Sequence, residues 1–148
     1  MQAVDVEEVV EFKVRKAFDV LKKPVMIEDT GLYVRSWNGL PGALIKWFVT
    51  YMHEPGICQM LNNFPDRSAW AKTAVGTYDG VSEPVIFVGR VDGRIALAPA
   101  GDHGFGWDKI FIPNGSERTF GEMSSEEKDY YSMRRSALIQ MFQYYTET

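Results

Sequence analysis

The middle of the chain most constrains the fold, because it predicts three strands in succession. The strand-like runs cover residues 68–78, 84–91 and 94–98, and turn sequences around Gly80 and Gly93 separate them. Strands joined by such short turns pair antiparallel, so this stretch predicts an antiparallel meander. A sheet buries its apolar face against other elements, and the rest of the chain must supply them.

Helix-like segments flank this meander. Apolar residues recur at spacings of three and four in residues 5–23, and a capping-box pair, Ser124 and Glu127, precedes one helix predicted over about residues 125–145. The other predicted elements are a helix over 43–53 that is interrupted near Pro55–Gly56 and resumes over 57–64, and strands over 24–28, 31–36 and 110–112. We therefore expect one α/β domain over residues 1–148, with a mixed, twisted sheet and flanking helices.

Charge and composition exclude several classes of partner. The net charge of −4 gives no electrostatic footprint for nucleic acid. No apolar run approaches the roughly 20 residues that a membrane-spanning helix needs. The acidic N-terminal region does not resemble a signal peptide, and the single cysteine, Cys58, is typical of a reducing compartment. We expect no nucleic acid partner, no membrane association and a cytoplasmic location.

An acidic pair is the first candidate for chemistry. Glu28 and Asp29 come at or just past the end of the predicted strand 24–28, and their side chains point in different directions because side chains alternate along a strand. One carboxylate could hold Mg²⁺ while the other orients an attacking water. The alternative is that both residues only form a turn or a helix cap. Glu8 lies off the apolar stripe of the first helix and is, by itself, typical of a solvated side chain.

Three further groups could bind a nucleotide. Lys46 with Trp47 could pair a phosphate charge with base stacking, or Trp47 could belong to the core while the lysine reaches solvent. Phe105, Trp107 and Asp108 lie in a glycine-rich loop and could stack on a base and bind its edge, or could fill a gap in the core.

The last predicted helix carries the third group. Lys128 and Ser132 are helical neighbours at a spacing of four, and Arg135 lies one turn further, with Arg134 beside it. Lysine and arginine suit phosphate and purine edges. A solvated basic helix face is the alternative.

Together these segments resemble the inosine triphosphate pyrophosphatase (Ham1-like) family. The motifs are EDTGL at 28–32, GLPGALIKWF at 39–48, FGWD at 105–108 and TFGEMSSEEKDYYSMRRSAL at 119–138. The resemblance covers about residues 5–145. It implies an enzyme that cleaves a metal-bound nucleoside triphosphate, releasing a nucleoside monophosphate and pyrophosphate.

The resemblance also implies roles for individual residues. Glu8 and Asp29 would hold Mg²⁺, and Glu28 and Asp29 would form the catalytic acidic pair. The residues implied to bind the nucleotide are Lys13, Lys46, Trp47, Phe105, Trp107, Asp108, Lys128 and Arg134.

The chain departs from the family pattern in two places. The strand and phosphate-binding loop that open the family's sequences are absent from this one, so we expect an N-terminally truncated version of the fold and a homodimer that covers the exposed surface. Met133 stands where the family usually has histidine, which puts the base specificity in question. A nucleotide-binding or dimeric interaction module without catalysis is therefore the alternative function.

Overall fold

The computed structural model describes residues 1–147 of the chain. Its helices and strands are, in chain order, α1 (Val6–Leu21), β1 (Val25–Val34), β2 (Pro41–Gly42), α2 (Ile45–Met60), β3 (Ser68–Tyr78), β4 (Val85–Ile95), β5 (Phe111–Pro113), α3 (Ser125–Tyr131) and α4 (Met133–Thr146). None of the helices in this part of the chain is long and apolar enough to cross a membrane.

The strands form one sheet in the order β2-β1-β3-β4-β5. The predicted α/β class and the antiparallel meander are confirmed. All pairs among the described strands are antiparallel, so the sheet shows no parallel pair of the kind that a mixed sheet contains. A short turn joins β3 to β4, and a turn of that length allows only antiparallel neighbours.

Two predicted breaks in the strands do not exist. The segments 24–28 and 31–36 belong largely to the single strand β1, and β4 likewise runs on through Gly93. Gly93 suggested a turn and Gly31 began the second predicted strand, but both glycines lie where another backbone approaches closely. A Cβ atom at Gly31 would lie 2.8 Å from the carbonyl carbon of Gly42 in β2. The acidic pair therefore lies within a strand, and the prediction that it follows a strand end was wrong.

Helices cover both faces of the sheet. On one face α1 packs its valines, Val6, Val10 and Val14, against Tyr33 and Ala74. The opposite face holds the larger core, whose fully buried members include Leu32, Ile57, Leu61, Ile110, Phe111 and Phe120. Since side chains alternate along β1, its neighbouring residues point to opposite faces.

The helices break where the backbone leaves helical geometry. The predicted interruption of α2 near Pro55 is confirmed and begins at His53, whose φ of 60° and ψ of 167° are non-helical. The single helix predicted over 125–145 was wrong, because Ser132 adopts an extended conformation between α3 and α4. The Ser132 hydroxyl accepts a hydrogen bond from the Arg135 N–H at 3.1 Å and so caps α4. The predicted cap of α3 is confirmed, since Ser124 accepts from the Glu127 N–H.

Gly89 in β4 provides a test of how tightly α4 packs on the sheet. A Cβ atom at Gly89 would lie 1.8 Å from the carbonyl oxygen of Met133, which is backbone and cannot rotate away. We expect Gly89→Ala to lower the free energy of unfolding by about 1–3 kcal/mol, the usual range for overpacking. Urea denaturation measures the change.

Gly56→Ala is the matched control. Its added Cβ would make an ordinary contact with Met52 at 3.4 Å, and alanine favours the helical conformation of α2. We expect no loss of stability in this variant. Equal losses in the two variants would contradict the close packing of α4 on β4.

Candidate functional site

A cleft of about 840 Å³ lies between β1, the start of α2, the loop at 105–108 and the junction of α3 with α4. Among the described strands, β2 pairs with β1 at Leu32 and Tyr33 and leaves the edge of β1 open from Val25 to Gly31. The cleft brings together eight of the residues predicted from the sequence. They are Glu28, Asp29, Lys46, Phe105, Trp107, Asp108, Lys128 and Arg134.

Three predicted site residues do not line this cleft. Lys13 lies beside it, with its Nζ 3.8 Å from Asp29 Oδ2. Glu8 is exposed on α1, and its role as a metal ligand stays a prediction. Trp47 is half-exposed and stacks on Tyr51, with 6.2 Å between the ring centroids. Its contact with a nucleotide also stays a prediction.

Asp29 is more buried than its neighbour Glu28. Its side chain is 24% exposed and points to the face covered by α1, where it meets Lys13. The Thr30 N–H donates to Asp29 Oδ1 at 3.1 Å. Burial raises the pKa of Asp29, and the positive charge of Lys13 and the Thr30 hydrogen bond offset part of that rise. A carboxylate in such surroundings gains from an additional cation or from a proton.

Glu28 points to the opposite face and forms an ion pair across the cleft. The Nε of Arg134 donates to Glu28 Oε1 at 2.9 Å and to Oε2 at 3.0 Å. The two side chains are 58% and 38% exposed, and exposed ion pairs add little stability. A ligand anion can therefore replace the carboxylate at a small energetic cost. The pair links β1 to the start of α4.

A second ion pair organises the loop at 105–108. Asp108 is buried, and its Oδ2 accepts from Lys128 Nζ at 2.8 Å and from the Phe105 N–H at 3.2 Å. Phe105 is left 85% exposed at the cleft, with Lys128 Nζ 5.7 Å from its ring centre. Trp107 is buried and packs edge-on against Phe111. Phe105 therefore offers a ring face to a ligand, while Trp107 supports the wall.

Sequence reasoning missed Thr30 as a residue of the site. Thr30 lines the cleft, and its hydroxyl oxygen lies 2.7 Å from that of the buried Thr73 in β3. A continuous strand over residues 25–34 would have placed Thr30 on the same face as Glu28. The predicted break before Gly31 hid this relation. Met133, singled out for specificity, is buried and forms part of the cleft wall.

The carboxylates could hold a magnesium ion only together with oxygen atoms of a bound molecule or water. No cluster of three or more histidine, cysteine, aspartate or glutamate side chains that could hold a metal ion occurs in residues 1–147. Mg²⁺ is commonly bound by one or two carboxylates together with substrate phosphates and water. Asp29 could supply one such carboxylate, since it lies on the open edge of β1 and is partly buried.

Asp29 should make stability depend on pH in a specific direction. Its raised pKa means that the folded state holds more protons than the unfolded state between the ordinary aspartate pKa and the raised one. The free energy of unfolding therefore falls as pH rises through that interval. We expect Asp29→Asn to be more stable than the wild type at neutral pH, with a gain that vanishes below about pH 4. Urea denaturation at several pH values measures it.

Asp66→Asn is the control with the opposite sign. Hydrogen bonds from Ser68 lower the pKa of Asp66, so its carboxylate stabilises the fold at neutral pH and this contribution is lost as pH falls. We expect this variant to be less stable than the wild type at neutral pH. The same sign in both variants would contradict the burial of the Asp29 charge.

The chain matches known proteins over nearly its whole length. The model of the Ham1 family matches residues 2–144. The Inosine triphosphate pyrophosphatase 1 of Trypanosoma cruzi is 43% identical over 141 residues, which are 94% of this chain and 71% of that protein. The dITP/XTP pyrophosphatase of Methanothermobacter marburgensis is 38% identical over 141 residues, which are 95% of this chain and 75% of that protein.

Solved structures agree with these relatives. The Ham1 protein of Staphylococcus aureus is 30% identical, with a TM-score of 0.85, over 99% of this chain and 78% of that one. The HAM1 protein of Coxiella burnetii is 27% identical, with a TM-score of 0.91, over 99% of this chain and 79% of that one. On the family match, the sequence identities and the shared fold, the chain belongs to the Ham1 family.

Proposed function

We propose that the protein hydrolyses nucleoside triphosphates to nucleoside monophosphates and pyrophosphate. One observation carries the proposal: a half-buried carboxylate, Asp29, lies in a cleft that also holds three cationic side chains and an exposed aromatic ring. Cationic groups suit a polyphosphate, and a ring face suits a base. The names of the Trypanosoma cruzi and Methanothermobacter marburgensis relatives, both pyrophosphatases, support the same reaction.

The phosphate end of the substrate belongs near Asp29. Lys13, Lys46 and Lys128 bind phosphate oxygens, and Arg134 leaves Glu28 to join them. Asp29 accepts a proton from water, whose oxygen bonds to the α-phosphorus while the bond from that phosphorus to the bridging oxygen breaks. Mg²⁺ held by Asp29, with Glu8 as a second ligand, would offset the phosphate charge as it develops on the leaving pyrophosphate.

The base end of the substrate belongs beside the loop at 105–108. Phe105 stacks on the base, and Asp108 keeps the loop in place through its bonds to Lys128 and to the Phe105 N–H. Met133 contributes a thioether to this wall, which is at most a weak acceptor and donates no hydrogen bond. We therefore propose an altered specificity, with weaker discrimination between purine bases that differ in their carbonyl and amino groups.

Release of pyrophosphate tests the proposed reaction. We expect hydrolysis of ITP, dITP, XTP, GTP or ATP with Mg²⁺, and a loss of activity when EDTA removes the metal. Asp29→Asn should lower kcat by at least about 100-fold, the range for loss of a general base. Asp19→Asn changes an exposed aspartate near the end of α1, outside the residues that line the cleft, and should leave the rate unchanged.

The outcome also decides the alternative function. Nucleotide binding in calorimetry without any pyrophosphate release would make the protein a binding module and would refute the hydrolase. Release that persists in Asp29→Asn would refute the role of that carboxylate. Comparable rates with ITP and ATP would support the altered specificity, and a strong preference for ITP would contradict it.

We also propose that the protein forms a homodimer in the cytoplasm. Exposed apolar side chains away from the cleft, such as Val20, Tyr51 and Phe142, support the first part of this proposal. Sedimentation velocity should give a species of twice the chain mass at micromolar concentration. A monomer at every concentration tested would contradict the dimer. The low cysteine count supports the cytoplasmic location.

A further inference from the structure

The hydroxyl of Thr73 is an exception in the apolar interior. Thr73 is fully buried at the centre of β3, between Ala71 and Val75 on the same face of the sheet. Valine has nearly the same shape and would suit such a position without burying a polar group. The structure gives the Thr73 hydroxyl one hydrogen bond within residues 1–147, to the hydroxyl of Thr30 at 2.7 Å. A buried polar group with a single partner at the cleft points to a role there.

The surroundings determine which of the two hydroxyls donates. Thr73 lies opposite Thr30 in β1 and opposite Gly89 in β4, and Gly89 has no side chain that could accept its proton. A buried donor without an acceptor is more unfavourable than an acceptor with a lone pair unused. Thr30 is only partly buried and lines the cleft, where water or a ligand can accept its proton. Thr73 is therefore the donor, and Thr30 accepts.

The neighbouring carboxylate makes no hydrogen bond to the Thr30 hydroxyl. Glu28 lies two residues away on the same face of β1, but within residues 1–147 the Thr30 hydroxyl bonds to Thr73, and Glu28 pairs with Arg134. The Thr30 hydroxyl can therefore donate its proton into the cleft while its oxygen accepts the hydrogen bond from Thr73. Such a group is suited to an anionic acceptor, because the donated bond strengthens the next one in the chain.

We propose that Thr73 is a positioning residue, which donates to the Thr30 oxygen and so directs the Thr30 proton to an anionic phosphate oxygen of the bound nucleotide. The inference rests on the proposed function, since it names a further contact of the same site. Thr73 touches no substrate and acts only through Thr30. Thr30 makes this contact to the phosphate oxygen as soon as the nucleotide binds, before the reaction. Loss of the contact therefore affects KM more than kcat.

A double-mutant cycle with steady-state kinetics tests the coupling. We expect Thr73→Val to raise KM about five- to ten-fold and to leave kcat within about two-fold, the effect of one hydrogen bond. Thr73→Ser keeps the hydroxyl and should restore KM. In a Thr30→Val background, Thr73→Val should have no further effect on KM, because the group through which Thr73 acts is gone.

Thr77→Val is the matched control. Thr77 lies four residues further along β3 on the same face, and its hydroxyl is also bonded to another hydroxyl, that of Tyr145, away from the cleft. This variant should leave KM unchanged. An equal rise of KM for Thr73→Val in the wild-type and Thr30→Val backgrounds would show that Thr73 matters only for packing and would overturn the proposal. An unchanged KM in Thr73→Val alone would do the same.

The direction of the hydrogen bond is also measurable in the free protein by NMR. We expect the Thr73 hydroxyl proton to exchange slowly with water and the Thr30 hydroxyl proton to exchange quickly. The reverse would overturn the proposal whether or not the protein is an enzyme. If the wild type hydrolyses no nucleoside triphosphate, the proposed function fails, and calorimetry with ITP and Mg²⁺ then decides the inference. A weaker affinity in Thr73→Val but not in Thr77→Val would support it, and equal affinities would refute it.

Discussion

The antiparallel pairing of β1 with β3 is the interaction on which the rest of the structure depends. It joins ten successive residue pairs, from Val25 opposite Tyr78 to Val34 opposite Ala69. This ladder holds β1 as one straight strand, so that Asp29 and Glu28 point to opposite faces at fixed positions. α1 and α4 can then bring Lys13 and Arg134 to these carboxylates from the two sides. Without this pairing, the positions of the two carboxylates relative to each other would not be fixed.

Opposite charges arrange the cleft without contributing much to stability. Arg134 is paired with Glu28, and Lys128 with Asp108, so two of the cations proposed to bind phosphate already have a partner. The exposed pair of Arg134 with Glu28 is exchanged easily, whereas the buried Asp108 accepts two hydrogen bonds that fix the loop, one of them from Lys128. The site thus combines replaceable contacts at the phosphate end with a fixed wall at the base end.

Sequence patterns succeeded where local chemistry decides the outcome. The stripe of apolar residues in α1, the strand at 68–78 and the Ser124 cap are each set by neighbouring residues, and all three are confirmed. The patterns failed at Gly31, Gly93 and Ser132. Gly93 within a strand resembles a turn signal, whereas Ser132 within a helical spacing gives no sign of a break. In the fold, Gly31 and Gly93 leave room for a neighbouring backbone. Ser132 interrupts a helix that the spacing of apolar residues predicted to be continuous.

The sequence by itself determined the α/β class, the family resemblance and eight of the residues that line the cleft, because each lies in a short motif with its own local pattern. Only the tertiary structure decided which charges face each other and which hydroxyl is buried. Arg134 and Glu28 are 106 positions apart, and Thr30 and Thr73 are 43 apart. Such partners are chosen by strand register and helix packing, which depend on the whole chain and leave no signal in either local segment.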